Sequence, residues 1–90
     1  MEINDFGWNE NAHIIYLESP AGVGFSQAKS HVSNDTSTAQ DNYVALVRFF
    51  EKFASLKDND FYIAGESYAG IYIPLLANEI INNNQQESAQ

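Results

Sequence analysis

The sequence predicts an α/β architecture with parallel strands, in the order strand, helix, strand, helix. Two short apolar runs, at residues 12–17 and 60–64, have the β-branched and aromatic composition of buried strands. A helical periodicity lies between these runs, and a second one follows the second run. Strands that alternate with helices are typical of α/β proteins, so we expect both runs to belong to one sheet.

The first predicted strand is AHIIYL at residues 12–17, and the loop ESPAGVGFS follows at 18–26. Gly22 and Gly24 give this loop access to backbone angles that other residues avoid. A glycine-rich loop can also bind phosphate, but this one lacks the required spacing and contains no Lys or Arg. We therefore expect no cofactor.

The first helix should begin near residues 35–37 and end near Leu56. Ser37 followed by Gln40 fits a capping box, in which each side chain satisfies a free backbone N–H of the first turn. Apolar residues then recur at steps of four and three, which places them on one helix face. These residues are Ala39, Tyr43, Leu46, Phe50 and Phe53.

The second predicted strand is DFYIA at residues 60–64, and a second helix should start from Ser67. Pro74 lies inside that helix and should kink or restart it, because proline has no backbone N–H. The chain is polar from residue 82 onward. We therefore expect residues 1–81 to form the structured part and residues 82–90 to form a disordered tail.

Composition argues against several kinds of partner. The net charge is −8, from twelve acidic and four basic residues, so nucleic acid and anionic membranes are poor partners. The sequence contains no cysteine, which excludes zinc–cysteine sites and disulfides, and we expect no metal. No apolar run reaches membrane-spanning length, so we expect no membrane insertion. Residues 2–11 lack the basic and apolar regions of a signal peptide.

The six residues GESYAG, from Gly65 to Gly70, fit the pattern of a nucleophile elbow with Ser67 as the nucleophile. A serine on a tight strand-to-helix turn needs small neighbours at two-residue spacing, which Gly65 and either Ala69 or Gly70 supply. The N–H of Tyr68 can then point at a developing oxyanion. Short Gly–Ser patterns arise often by chance, but an apolar run before this one and a helix after it favour a catalytic turn.

Two stretches together resemble the serine carboxypeptidases, a family of α/β-hydrolase exopeptidases. They are NENAHIIYLESPAGVGFS and DFYIAGESYAGIYIPLLANEI, joined by the helical stretch TAQDNYVALVRFFEKF. The resemblance implies that residues 1–81 are the central slice of an α/β-hydrolase domain. In that fold the strand that precedes the family's NGGPG segment separates the two predicted strands, so the sheet fragment would be incomplete.

The resemblance also implies roles for three consecutive residues. Ser67 would be the acylating nucleophile. Tyr68 would donate one oxyanion-hole N–H, and its side chain would border the pocket for the residue before the scissile bond. Glu66 would hydrogen-bond the terminal carboxylate of a peptide or protein substrate, which requires one of the two carboxyl groups to be protonated and so favours low pH. The glycines of both motifs would be structural: Gly22, Gly24, Gly65 and Gly70.

A serine hydrolase also needs a base beside the serine and a carboxylate that orients the base, in the chain order Ser, Asp, His on this fold. No Asp or His follows Ser67, and we expect the earlier His13 and His31 to be bystanders. The 90 residues alone should therefore be inactive. Two alternatives stay open: a fragment of a carboxypeptidase-like acyltransferase, and a truncated product that acts by binding a partner.

Compartment and assembly follow only from the resemblance. The family is usually vacuolar, lysosomal or secreted. In a secretory compartment Asn34 would be a candidate glycosylation site, because Asn34, Asp35 and Thr36 form a sequon. The oligomeric state is left open by the sequence.

Overall fold

The computed structural model describes residues 3–29 and 33–88. Within these ranges the chain forms two α-helices, α1 (Asp35–Lys52) and α2 (Ala69–Ser88), and one short 3₁₀ helix, Ala54–Leu56. Neither described range contains a β-strand. The predicted α/β class is therefore wrong for this chain: both helices of the strand–helix–strand–helix order are present, and both strands are absent.

The runs at 12–17 and 60–64 stay irregular because neither has a strand beside it in the described residues. A strand is stabilised by ladder hydrogen bonds and by side-chain packing, and β-propensity alone supplies neither. Burial is missing as well, since Tyr16 is 75% exposed and Tyr62 is 84% exposed. The β-branched and aromatic composition indicates a chain that suits a sheet, but neighbouring strands are needed to form one.

Helix α1 begins where the sequence predicts, but with a different cap. Asn34 is the N-cap: its Oδ1 accepts the N–H of Ser37 at 2.8 Å, and the Ser37 hydroxyl accepts the N–H of Asn34 at 2.9 Å. The capping box is thus formed by Asn34 and Ser37 rather than by Ser37 and Gln40. Asparagine is among the strongest N-cap residues, and capping by Asn34 lets α1 start at Asp35.

The small core lies between the two helices. Among the described residues the buried apolar side chains are Ala39 and Leu46 of α1 and Leu76 of α2. Ala39 and Leu46 both belong to the apolar face predicted for α1, and they stand two turns apart on it. Phe53, at the end of that face, is 44% exposed. The apolar face of α1 is therefore more fully buried at Ala39 and Leu46 than at Phe53.

Aromatic contacts attach the segment that precedes α2 to the end of α1. The rings of Phe50 and Phe61 meet edge to face, with their centroids 5.4 Å apart. Phe49 contacts Phe50 at 5.3 Å and Phe53 at 4.8 Å. Pairs of this kind contribute about 0.5–1.5 kcal/mol beyond area burial. The cluster therefore sets where the chain enters the turn at residues 65–70.

Helix α2 continues through Pro74 and ends at Ser88. Because proline has no N–H, the carbonyl of Gly70 lacks its usual helical donor. Residues 82–88, for which the polar composition predicts fraying, form the last turns of this helix, and residues 89 and 90 lie outside the described part. Neither described helix has both the length and the apolar character that a bilayer-spanning helix requires.

The chain exposes much more surface than a compact protein of its mass. Its accessible surface is 7920 Å² and its radius of gyration is 14.9 Å. A compact 10.1 kDa protein would expose about 5,300 Å², and its radius of gyration would be about 12 Å. Phe6, Trp8 and Phe25 are each at least 80% exposed. The two helices therefore hold the turn at 65–70 in place without enclosing it.

Candidate functional site

The backbone bends sharply at Ser67. Its φ is 58°, and Ser67 is the one non-glycine residue with positive φ among the described residues. This left-handed region costs a residue with a Cβ about 1–3 kcal/mol and persists only where the surrounding structure holds it. A nucleophile elbow has this kind of strain at its serine, because the strain exposes the hydroxyl above the turn.

The two glycines that flank the turn differ in the space around them. A Cβ at Gly65 would lie 2.5 Å from the Cβ of Ala69 and 3.3 Å from Cδ1 of Ile73. A Cβ at Gly70 would meet nothing within 4 Å. The close approach of residue 65 to the start of α2 therefore requires glycine. Of the pair Ala69 and Gly70, only Ala69 faces Gly65.

Hydrogen bonds close the turn and leave one N–H available. The N–H of Ala69 donates to the Glu66 carbonyl at 3.1 Å, and the N–H of Gly70 donates to the Ser67 carbonyl at 3.0 Å. The N–H of Tyr68 has no acceptor among the described residues. It stands immediately before α2, where helix N–H groups are unsatisfied by the helix itself. An anion at this point would meet a free donor and the positive end of the helix dipole.

The side chain of Tyr68 bridges the two helices. Its hydroxyl donates to Oδ2 of Asp35, the first residue of α1, at 3.0 Å. Its ring packs edge to face on Tyr72, with centroids 4.9 Å apart. The hydrogen bond to Asp35 and the negative charge of that carboxylate raise the pKa of Tyr68, with smaller effects from desolvation and Tyr72. Tyr68 is still 51% exposed, so these two contacts do not bury it.

Ser67 and Glu66 are both exposed, and no base contacts the serine within the described residues. The Ser67 hydroxyl has no hydrogen-bond partner among them, and His13 is exposed as well. His31 lies outside the described residues. The structure thus brings Glu66, Ser67 and Tyr68 together on one turn and places neither a base nor an orienting carboxylate next to Ser67.

One contact closes the loop at 18–26 and another attaches it to α1, and neither is predicted from the sequence. The carboxylate of Glu18 accepts the N–H of Phe25 at 2.7 Å and occupies the space that a side chain at Gly24 would need. The hydroxyl of Ser19 donates to Oδ1 of Asn42 on α1 at 2.8 Å. An acidic residue at the start of the loop, opposite a glycine, is the signal that could have indicated this closure. Two glycines of the loop have positive φ: Gly22 (95°) and Gly24 (53°).

Asn34, the candidate glycosylation site, is exposed and caps α1 through its side-chain oxygen. A glycan would be attached to the side-chain nitrogen, so capping and glycosylation use different atoms. Glycosylation of Asn34 stays a prediction.

Two surface depressions lie away from the turn. One, of about 380 Å³, runs along the last turns of α2, and another, of about 340 Å³, lies around residues 3–10. Neither adjoins Ser67. Within residues 3–29 and 33–88, no three His, Asp or Glu side chains come together as a metal-binding group.

Comparison with known proteins identifies the family. The family model for serine carboxypeptidases matches residues 1–90. The chain is 48% identical to carboxypeptidase Y homolog A of Ajellomyces capsulatus over 86 residues, which are 96% of this chain and 16% of that protein. It is 54% identical to the lysosomal protective protein of Mus musculus over 79 residues, 86% of this chain and 17% of that protein.

A third relative, the vacuolar serine-type carboxypeptidase ATG42 of Saccharomyces cerevisiae, is 49% identical over 85 residues. These residues are 94% of this chain and 17% of that protein. The chain belongs to the serine carboxypeptidase family, as the two sequence motifs predict. It spans about one sixth of the length of the relatives it matches.

Proposed function

We propose that these 90 residues carry the nucleophile of a serine-type carboxypeptidase, and that Ser67 is that nucleophile. The observation that carries the proposal is the positive φ of Ser67, on a turn that leads directly into a helix. A strained serine at this place, in a chain of this family, is the arrangement that acyl transfer by a serine hydroxyl needs. The reaction would hydrolyse a C-terminal peptide bond through an acyl-enzyme on Ser67.

Three neighbouring groups would act together in this reaction. The Ser67 hydroxyl would attack the scissile carbonyl, and the free N–H of Tyr68 would stabilise the oxyanion that forms. The exposed carboxyl group of Glu66 would bind the substrate's terminal carboxylate, with one proton shared between the two groups. Such a hydrogen bond forms more readily in acid, which suits the lysosomal and vacuolar compartments named for two relatives.

The 90 residues tested alone should not turn over substrate. The serine hydroxyl is a weak nucleophile until a base removes its proton, and no base lies beside Ser67 in the described residues. Loss of the base leaves only binding and oxyanion stabilisation, and the Tyr68 N–H is one donor of the two that such a site uses. The base and the carboxylate that orients it would come from residues outside these 90.

The test compares two proteins on one substrate, an N-blocked Phe–Leu dipeptide, by release of free leucine at acidic pH. One protein is the 90-residue chain, and the other is the product of the complete reading frame sequenced from the native source. The second should release leucine, and Ser67→Ala should lower its kcat/KM by a factor of about 10⁴ or more. The 90-residue chain should release none.

Three results would contradict the proposal in different ways. If the 90-residue chain turns over the substrate, and Ser67→Ala abolishes that turnover, the prediction that the chain alone is inactive is wrong. Full activity of the complete product after Ser67→Ala would refute the nucleophile. A complete reading frame that ends at Gln90 would refute the peptidase and leave the binding function, which the large exposed apolar surface favours. A defined oligomer with a cooperative unfolding transition would then support binding.

A further inference from the structure

The contact between Tyr68 and Asp35 joins two points that are 33 residues apart in sequence. Asp35 is the first residue of α1, and Tyr68 directly precedes α2. The carboxylate stands on a well-defined part of the chain, because the capping box of Asn34 and Ser37 fixes the first turn of α1. The hydroxyl of Tyr68 therefore donates to a carboxylate on a turn whose backbone the capping box fixes.

Tyr68 is the side chain next to the proposed nucleophile, so its orientation affects whatever approaches Ser67. Tyr68 is 51% exposed, and the core of the two helices does not enclose it. Two contacts hold it: Tyr72 packs on the ring, and Asp35 accepts from the hydroxyl. A ring held by an aromatic neighbour and through its own hydroxyl loses little further rotamer freedom when a substrate packs against it.

We infer that Asp35 is a positioning residue, which holds the Tyr68 ring beside Ser67 as one wall of the pocket for the residue before the scissile bond. The inference rests on the proposed function for the pocket itself, but the contact between the two side chains can be tested without any activity. The contact raises the pKa of the Tyr68 phenol, since a neutral hydroxyl donates to a carboxylate and a phenolate would be repelled by it.

A purely structural role for Asp35 is the competing explanation. A carboxylate in the first turn of a helix stabilises the helix through its dipole, whatever Tyr68 does. This role would change the stability of α1 when Asp35 is replaced and would leave the titration of Tyr68 unchanged. The pKa of the Tyr68 phenol, measured with and without Asp35, therefore separates the two explanations.

The experiment is an NMR titration of the ring signals of the five tyrosines in the 90-residue chain. Tyr68→Phe assigns the Tyr68 signals by their loss. In the unchanged chain the pKa of the Tyr68 phenol should be raised, and Asp35→Ala should lower it toward the ordinary value. Asp41→Ala removes an exposed carboxylate of the same helix and should leave the titration of Tyr68 unchanged.

Equal Tyr68 titration in the unchanged chain and in Asp35→Ala would overturn the inference. So would an ordinary pKa of the Tyr68 phenol in the unchanged chain, because the contact would then not be formed. A double-mutant cycle on the urea midpoint guards against a variant that only weakens the fold. If the contact exists, Asp35→Ala and Tyr68→Phe together should shift the midpoint less than the sum of their separate shifts; additive shifts would overturn it.

The same variant separates this inference from the proposed function when it is placed in the complete protein. Asp35→Ala should lower kcat/KM for a blocked dipeptide with Phe before the scissile bond by several-fold more than for one with Gly there. Equal losses for both substrates would overturn the positioning role while leaving Ser67 as the nucleophile. Activity that is insensitive to Ser67→Ala would instead refute the proposed function. The tyrosine titration would still show whether the hydrogen bond between Tyr68 and Asp35 forms.

Discussion

Replacement of Gly65 by alanine would place a methyl group against the start of α2. The new Cβ would lie 2.5 Å from the Cβ of Ala69, about 1 Å inside ordinary van der Waals contact. Neither methyl group can rotate away, because each Cβ is fixed by its own backbone. The backbone of the turn or the start of α2 must therefore move, and Cδ1 of Ile73, at 3.3 Å, limits movement on one side.

The cost of this movement can be compared with the effect of a matched change, Gly70→Ala. Overpacking of this kind costs about 1–3 kcal/mol, and a clash between two fixed methyl groups belongs in the upper half of that range. Gly70→Ala adds the same methyl group in the first turn of α2, where a Cβ meets nothing within 4 Å. There it should stabilise the chain by about 0.5–1 kcal/mol, because alanine loses less backbone entropy in a helix than glycine does.

Equilibrium urea unfolding of the 90-residue chain, followed by far-UV circular dichroism, would measure both changes. Trimethylamine N-oxide in the buffer would raise the stability of all variants to a measurable range. With a slope of about 1 kcal/mol per molar urea for a chain of this size, the two variants should differ in midpoint by about 2.5–4 M. Equal midpoints, or a Gly70→Ala variant that is less stable than Gly65→Ala, would refute the packing described for the turn.

Three further substitutions test the turn, the cap and the core by the same measurement. Ser67→Gly should stabilise the chain by up to about 1 kcal/mol, because glycine relieves the strain of the positive φ. Ser67→Ala keeps that strain and should be nearly neutral. If Ser67→Ala were the more stable of the two variants, the strained turn would be contradicted. Asn34→Ala should cost about 1 kcal/mol and Asn34→Asp much less, because aspartate also caps a helix; equal losses would exclude the cap. Leu76→Ala should lower the free energy of unfolding by about 2 kcal/mol, which is the low end for a buried leucine because the core is small. The control Val44→Ala changes an exposed side chain and should lower it by under about 0.5 kcal/mol.

The helices were predictable because their signals are local. The apolar steps along α1 and the pattern after Ser67 each specify a helix within one stretch of chain, and both helices are present. Whether the runs at 12–17 and 60–64 form strands could not be predicted in the same way, because a strand depends on residues distant in sequence that pair with it. The cap of α1 lies between these cases: Asn34 and Ser37 are both good caps, and the sequence does not show which one starts the helix.

The candidate site divides in the same way. The strained serine follows from the steric demands of six consecutive residues, and the structure has the positive φ at Ser67. The hydrogen bond from Tyr68 to Asp35 could not be predicted, because it depends on how α1 packs against α2. The different surroundings of Gly65 and Gly70 also escaped prediction, because both glycines fit the motif and only the position of Ala69 distinguishes them.

The large exposed surface of the chain has a consequence for its lifetime in a cell. Chaperones and proteases act on chains with exposed apolar side chains, and Phe6, Trp8 and Phe25 present such side chains almost fully to solvent. The chain produced alone should therefore be degraded faster than the same residues covered by further protein. Its half-life after a block of translation would accordingly report how much of this surface is covered in the cell.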